Sequence, residues 1–463
     1  MSPAIVILGQ GSLATARAIQ QVYPGALIHG LTGRVEGADQ TYSEFGATLR
    51  QLYQQGTPLI ALCAAGIVIR TLAPLLLEKG EEPAVLAVAE DGSAVVPLLG
   101  GLGGVNVMAR EIAAALDVAA AITTSGELRF GTCLLNPPSG YELADLELGK
   151  RFVSDLLAGA SVRIEGAAPW LDQADLPQDQ QAHLAIHVGS AERVPAANEL
   201  LIYPKTVSVT CKPGAQLAER VRAALHDAGI AVQSLACLLA SDTQMAEASL
   251  HESALELGVP LRFTRVSQDA DVVINVAEQP LDLSQVGRVR GRLAVIGLGP
   301  GAAELMVPAV KAELARCTDV LGYETYVRMA GPFRDDQVQH CTDNREEMQR
   351  ARHAFELAAQ GRSVVVVSSG DPGVFAMASA VIEALHESSD PAWHQVDLQI
   401  LPGVSASLAT AAQAGAPLGH DFCVMSLSDN LKPWAIIEKR LDFASQADLA
   451  LAFYNPISRS PKA

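Results

Sequence analysis

Short apolar runs recur along the chain, each closed by glycine, proline or a polar turn and each followed by a stretch with helical spacing. Ala4–Leu8 is closed by Gly9-Gln10-Gly11, and a helix is predicted from Ser12 to Gln21. Pro58–Cys63 repeats the plan, with Ala64-Ala65-Gly66 leading into Ile67–Leu72. Pro83–Ala89 and Ala94–Leu98 flank Asp91-Gly92, a dipeptide that favours a tight hairpin turn. The glycine-dense Gly100–Gly104 then opens a helix over Val105–Leu116, and Ala120–Thr123 is read as one more strand. Residues 1–135 therefore form an α/β unit.

The signal weakens over 136–204, where Pro137, Pro138, Pro169, Pro177, Pro195 and Pro204 interrupt it and Asp172–Gln181 is polar. This interval is read as a connecting region with a few strands, His183–Val188 among them. A second small α/β unit spans 205–280, with a strand over Thr206–Thr210 and a helix over Ala215–Ala228 that Gly229 ends. Residues 281–291, bearing Arg288 and Arg290, read as a linker. The segment 292–463 is the most regular. Arg292–Ile296, Val364–Val367, Val396–Ile400 and Leu449–Phe453 are compact apolar runs of the kind buried on both faces of a parallel sheet. Asp343 with Glu346 suggests a capping box for a helix that Gly361 ends, and Ser405 is placed to cap a helix that stops at Gly415. Alternation of this kind predicts a multidomain α/β protein built on mostly parallel sheets.

Composition narrows the partners. At 463 residues the chain is long enough for about three domains. Thirty-three basic against 51 acidic residues give a net charge of −18, which repels nucleic acid and anionic membranes. Seven cysteines stand singly with no CxxC pair, the pattern of reduced thiols in a cytoplasmic protein and not of a metal or disulfide framework. No stretch reaches the ~20 apolar residues of a membrane helix. The expected ligands are thus small molecules, with no metal site.

Each strand of the last segment ends in a loop of special composition: Gly297-Leu298-Gly299-Pro300-Gly301, Ser368–Gly373, Pro402–Ala406 and Tyr454-Asn455-Pro456. Ligands of open α/β sheets bind beyond the carboxyl ends of strands, so these loops predict a crevice. The first could suggest a dinucleotide site. That fingerprint needs a GxGxxG running straight into a helix; here the spacing is GxGxG and the next helix starts near Pro308. A phosphate cradle is disfavoured. Two alternatives stay open, a nucleotide-type site with Glu324 on a ribose hydroxyl, and a turn with only a structural role.

In this order, the loops resemble those of the tetrapyrrole S-adenosylmethionine (SAM)-dependent methyltransferases, most closely the precorrin-3B C(17)-methyltransferases. The resemblance rests on Leu293–Val327, Val364–Phe375, Leu401–Ala406, Ala416–Asp429 and Phe453–Pro456. It implies a first αβα lobe followed by part of a second, with SAM in the crevice between them. The contacts it implies are Pro300, Gly370, Asp371, Val374, Phe375, Ser405, Ala406, Tyr454 and Asn455, although Phe375 could equally anchor the core. The implied reaction methylates carbon 17 of a precorrin and contracts the ring, which calls for a general base. Asp371, His420 and Asp421 are candidates by position and type, His420 being otherwise a loop histidine satisfied by its neighbours. The family implies a homodimer and a second lobe continuing past Ala463, so weak or absent activity is expected of the chain as it stands.

The N-terminal part resembles the CbiG-type cobalamin proteins, known as cobalt-precorrin-5A hydrolases, through Ala64–Pro74, Pro83–Val88 and Leu98–Arg110, and through Thr206–Pro260 for their C-terminal domain. Leu102 stands where that family usually has histidine, and its usual lysine and glutamate are not matched around Ser241–Ser249. The alternatives to methyl transfer are hydrolysis of a precorrin lactone by this region, or a scaffold that binds a corrinoid without catalysis.

Overall fold

The structure, a computed structural model, describes residues 2–76, 82–265, 270–334, 336–343, 346–428 and 432–455. Its contacts divide the chain into two compact units, Met1–Val289 and Arg290–Ala463.

Among the described residues, the first unit holds three sheets. The largest has the order Gln40–Tyr42, Leu27–Leu31, Ala4–Ile7, Leu59–Leu62, Val85–Val88, Val95–Leu99. Only its last strand runs antiparallel, returning through the Asp91-Gly92 turn with Gly92 at φ +77°. Ala4–Ile7, Leu59–Leu62 and Val85–Val88 are buried throughout, as strands covered on both faces must be. Ala120–Thr123 is not a strand; Ala120 makes one isolated bridge to Val95.

The interval 136–204 is not a connector. It builds a four-stranded sheet, Tyr141–Leu143, Glu199–Pro204, Leu184–Val188, Val162–Glu165, with its own core around Phe130, Phe152, Leu171 and Ile186. The prolines fall where they cost no ladder hydrogen bond. Pro169 starts the short helix Pro169–Asp172 and Pro204 ends a strand. The third sheet, Leu261–Thr264, Leu235–Ser241, Val207–Cys211, Val272–Val276, packs on the helices Leu217–Asp227 and Ala248–Leu257.

The second unit is built on five parallel strands in the order Val338–Thr342, Asp319–Tyr323, Ser363–Ser368, Arg292–Gly297, Asp397–Leu401. Alternate side chains serve opposite faces, as the two-residue period of a strand requires. Leu293, Val295, Val364 and Val366 pack with Ala351, Phe355 and Val381 of the helices Glu347–Ala359 and Met377–Glu387. Ala294, Ile296, Val365 and Val367 pack with Val310 and Val327 of Pro308–Arg316 and Glu324–Ala330. Full burial of each such side chain stabilises the unit by roughly 1.5–3 kcal/mol.

Three details differ from the sequence expectation. The helix ended by Gly361 (φ +91°) starts at Glu347, not at Asp343; Glu346 still reaches back and accepts from the Asp343 N–H at 3.3 Å. Ser405 occupies the cap position of Ala406–Gln413, yet its hydroxyl meets Ser407 Oγ at 3.3 Å and caps no backbone group. Finally, Leu449–Phe453 does not join the five-stranded sheet. Ala450–Tyr454 pairs in parallel with Phe422–Ser426 in a separate two-stranded sheet. Asp429 and Pro456 lie outside the described residues.

Candidate functional site

Because all five strands of the large sheet are parallel, their carboxyl ends share one edge, and the neighbours Ser363–Ser368, Arg292–Gly297 and Asp397–Leu401 release their loops side by side. The glycines let those loops touch backbone to backbone. A Cβ on Gly297 would lie 2.3 Å from Gly370 O and 2.9 Å from Gly403 N, and one on Gly403 would lie 2.1 Å from Gly370 O. No side chain fits at either position.

The loops are also bonded to one another. Gly299 N–H donates to Gly370 O at 3.1 Å, and Gly370 N–H donates back to Gly299 O at 2.8 Å. Asp371 accepts from Gly373 N–H at 2.8 Å through Oδ1 and from Gly403 N–H at 3.1 Å through Oδ2. Its two oxygens thus fasten its own loop and tie it to the next. The fourth loop joins from the small sheet: Tyr454 Oη accepts from Ser407 N–H at 3.0 Å and lies 3.2 Å from Ser407 Oγ. Asn455, at φ +51°, donates its amide to Ser426 Oγ at 3.0 Å.

Phe375 is no core anchor. It is 52% exposed, at φ +53°, with its ring 5.4 Å from that of Tyr454. Val374 and Pro300 are half-buried beside it in sequence and across the bridge respectively, Ser405 is buried, and Ala406 opens its helix. Gly299, Asp371, Ser405 and Tyr454 are therefore linked into one rim by direct bonds and short steps of chain. His420 and Asp421 are exposed just ahead of Phe422–Ser426, and among the described residues no hydrogen bond links them to the rim. Glu324 begins a helix and pairs with Arg328 at 2.5 Å.

Three supporting residues escape sequence reasoning. Ser407 holds Tyr454, as described. Ser368 Oγ accepts from Met377 N–H at 3.3 Å. The buried Arg350 spans from Thr342 Oγ1 (2.7 Å) and Asp343 O (2.8 Å) to Met377 Sδ (3.2 Å); burial lowers its pKa, opposed by Glu347, Glu346 and Asp343. A serine in the first turn of a helix and an arginine in a helical run carry no sequence signal that separates them from surface residues.

The donor set decides which ligands suit this rim. Residues 297–301, 368–376, 402–407 and 454–455 contain no lysine or arginine, and Asp371 is their one charged group. The loop at Gly299 passes through the short 3-10 turn Ala303–Leu305 and reaches an α-helix only at Pro308. A phosphate would find no cation in these loops, and the first loop does not run straight into an α-helix as a phosphate cradle does. A group with a carboxylate, an aromatic base and a positive sulfur would find backbone donors and acceptors beside the faces of Phe375 and Tyr454. The residues fit SAM.

Comparison with known proteins finds its matches in the same interval. The profile of the tetrapyrrole (corrin/porphyrin) methylases matches residues 292–461. The precorrin-3B C(17)-methyltransferase of a Sinorhizobium species is 50% identical over 170 residues, 37% of this chain and 66% of that protein. The probable cobalt-factor III C(17)-methyltransferase of Salmonella typhimurium is 41% identical over 167 residues, 36% of this chain and 68% of that protein. The chain belongs to the tetrapyrrole methylase family. Among other members, the cobalamin biosynthesis protein CobIJ of Mycobacterium tuberculosis is 51% identical over 168 residues, but this chain spans only 32% of its length. The crystal structure of the methyltransferase CobJ is 57% identical, covering 37% of this chain and 71% of that one at a TM-score of 0.36. The methylase match ends at the second unit. In the first, residues 47–127 match the cobalamin synthesis G N-terminal family. There Gly100 and Gly104 take positive φ, Leu102 is 44% exposed, and Gly104 leads directly into Val105–Ala115. That helix brings Asn106 and Arg110 to the buried Glu127, at 2.6 and 2.5 Å. Among the described residues no helix is long and apolar enough to cross a membrane.

Proposed function

We propose that Arg290–Ala463 binds SAM at the linked rim, and that the protein transfers its methyl group to carbon 17 of precorrin-3B, with ring contraction to precorrin-4. The observation that carries this is the joining of glycine, aspartate, serine and tyrosine loops into one cation-free rim with two aromatic faces. When bound, SAM supplies an electrophilic methyl on a positive sulfur. Pro300, Gly370, Val374, Phe375, Ser405, Ala406, Tyr454 and Asn455 would hold it, the ring pair of Phe375 and Tyr454 facing its charge. Asp371 keeps the rim in shape, since both its oxygens accept backbone N–H groups.

The macrocycle is an electron-rich carbon nucleophile, so methylation needs no activated side chain; alignment in a dry cleft lowers the barrier. Ring contraction needs a proton removed. His420 and Asp421, exposed and outside the hydrogen-bonded rim, suit a base better than Asp371 does. The same reading carries a homodimer and a cytoplasmic location. The CbiG-like region is read as binding a corrinoid without hydrolysing it, because Leu102 supplies no imidazole and Glu127 is held by Asn106 and Arg110.

Calorimetric titration with SAM, run beside the Sinorhizobium relative as a positive control, tests the reading. Saturable heat is expected of both proteins. Heat from the relative alone would sink the proposal for this chain, and acetaldehyde released from a cobalt-precorrin lactone would instead establish the hydrolase alternative.

A further inference from the structure

Away from the rim, in the same unit, two histidines face one another. His340 sits on the strand Val338–Thr342 and His353 on the helix Glu347–Ala359, with His340 Nδ1 and His353 Nε2 3.4 Å apart and ring centroids at 5.1 Å. Each ring's other nitrogen meets a carboxylate. His340 Nε2 lies 2.8 Å from Oδ1 of Asp319, which is fully buried and also held by Thr318 Oγ1 at 2.7 Å and Arg362 Nε at 2.8 Å. His353 Nδ1 lies 3.5 Å from Glu356 Oε2.

An ionised carboxylate only accepts, so it favours the tautomer that carries a proton on the nitrogen facing it. With both outer nitrogens protonated, both inner nitrogens present lone pairs across the 3.4 Å gap; with the proton of His353 on Nε2 instead, the same contact is a hydrogen bond donated to His340 Nδ1. Two lone pairs at that distance repel unless a positive charge lies near both. The spacing matches one candidate. Two imidazole nitrogens bound tetrahedrally at ~2.0–2.1 Å from a metal ion stand about 3.3–3.4 Å apart. A carboxylate behind a ligating imidazole is the usual support for such a ligand, fixing its tautomer and raising its basicity. His340 is partly buried and His353 is 42% exposed, so an ion has access from solvent.

We propose that His340 and His353 form a binding site for a divalent transition-metal ion that prefers imidazole, with Asp319 and Glu356 as supporting carboxylates. No group of three or more His, Cys, Asp or Glu side chains is gathered for a metal among the described residues, so water completes the coordination and the affinity is modest. Oxygen-preferring Mg²⁺ and Ca²⁺ are excluded by the donor type.

Titration of the whole chain with Co²⁺, by calorimetry and visible absorption, tests this. One equivalent is expected to bind with no thiolate-to-cobalt charge-transfer band, and His353→Gln is expected to weaken it at least tenfold. Cys341→Ser, next to His340 on the strand, should leave binding unchanged. Equal binding by wild type and His353→Gln, or a thiolate band lost in Cys341→Ser, would overturn the proposal. His353 is partly exposed, so its substitution leaves the fold intact, and thermal unfolding without metal verifies that.

Discussion

Two glycine-dense loops, one in each unit, read almost alike in sequence and behave differently in space. Gly100–Gly104 enters a helix at once, with Gly104 as its cap. Its glycines fit against the chain leading into the neighbouring strand: a Cβ on Gly100 would lie 2.4 Å from Pro83 O, and one on Gly103 would lie 3.1 Å from Glu82 O. Gly297–Gly301 leads into the short 3-10 turn Ala303–Leu305, reaches no α-helix before Pro308, and meets two other loops at the sheet's edge through backbone. The contrast teaches that glycine count does not identify a ligand site. What matters is which backbone the missing side chain admits. In the first case it is the loop's own sheet; in the second it is the backbone of the two neighbouring loops.

The largest effect should come from adding a methyl group to each loop. Gly403→Ala is expected to abolish detectable SAM binding, because its Cβ collides with the Gly370 and Gly297 backbones, which cannot move without opening the rim. Gly100→Ala should destabilise the first unit by about 1–3 kcal/mol and leave SAM affinity unchanged. Calorimetry and thermal unfolding on both variants would decide it; matching losses of SAM binding would erase the distinction between the loops.

A smaller effect is expected from Tyr454→Phe. It removes the oxygen that accepts from Ser407 N–H but keeps the ring beside Phe375. The loss of one hydrogen bond, about 0.5–1.5 kcal/mol, should appear as a weakening of SAM binding within roughly tenfold, with thermal stability little altered. A fall as large as that of Gly403→Ala would mean that the hydroxyl touches the ligand itself.

The smallest effect lies at the opposite edge of the same sheet. Asp397 pairs with Arg292, which also meets the buried Glu313 at 2.8 Å. Burial pushes the Asp397 pKa up, but hydrogen bonds from Gln399 and Arg292 and the charges of Arg292 and Arg290 outweigh it, so the folded value lies below the ordinary one. A depressed carboxylate stabilises the fold above its unfolded pKa, and that stability is lost as pH falls through the folded value. Asp397→Asn should therefore lose stability at neutral pH and flatten the acid limb of the unfolding profile. SAM affinity at neutral pH should stay constant, which separates the two edges of one sheet.

Much of this organisation is legible in the residues. Valine runs such as Val364–Val367 admit little besides a buried parallel strand, and the α-helix read as starting near Pro308 starts there. The sheet across 136–204 is hard to see because six prolines interrupt the apolar pattern, although Pro169 only starts a helix, Pro204 only ends a strand and the other four lie in the connecting segments. The rim's construction was hidden for another reason. The exchange of bonds between Gly299 and Gly370 and the reach of Tyr454 to Ser407 join residues far apart in sequence, and no local periodicity encodes such pairings. The glycines show that something comes close; only the fold shows what.

The paired bond between Gly299 and Gly370, closed further by Asp371, has a bearing on the speed and selectivity of capture. Immobilising a loose loop costs about 1–2 kcal/mol for each residue, and a pocket that must assemble around its guest gives up that much affinity. Here the polypeptide has already settled those loops while folding. On the proposed reading, an arriving small molecule would meet a finished surface, and discrimination would rest on shape and charge rather than on persuading the chain to close.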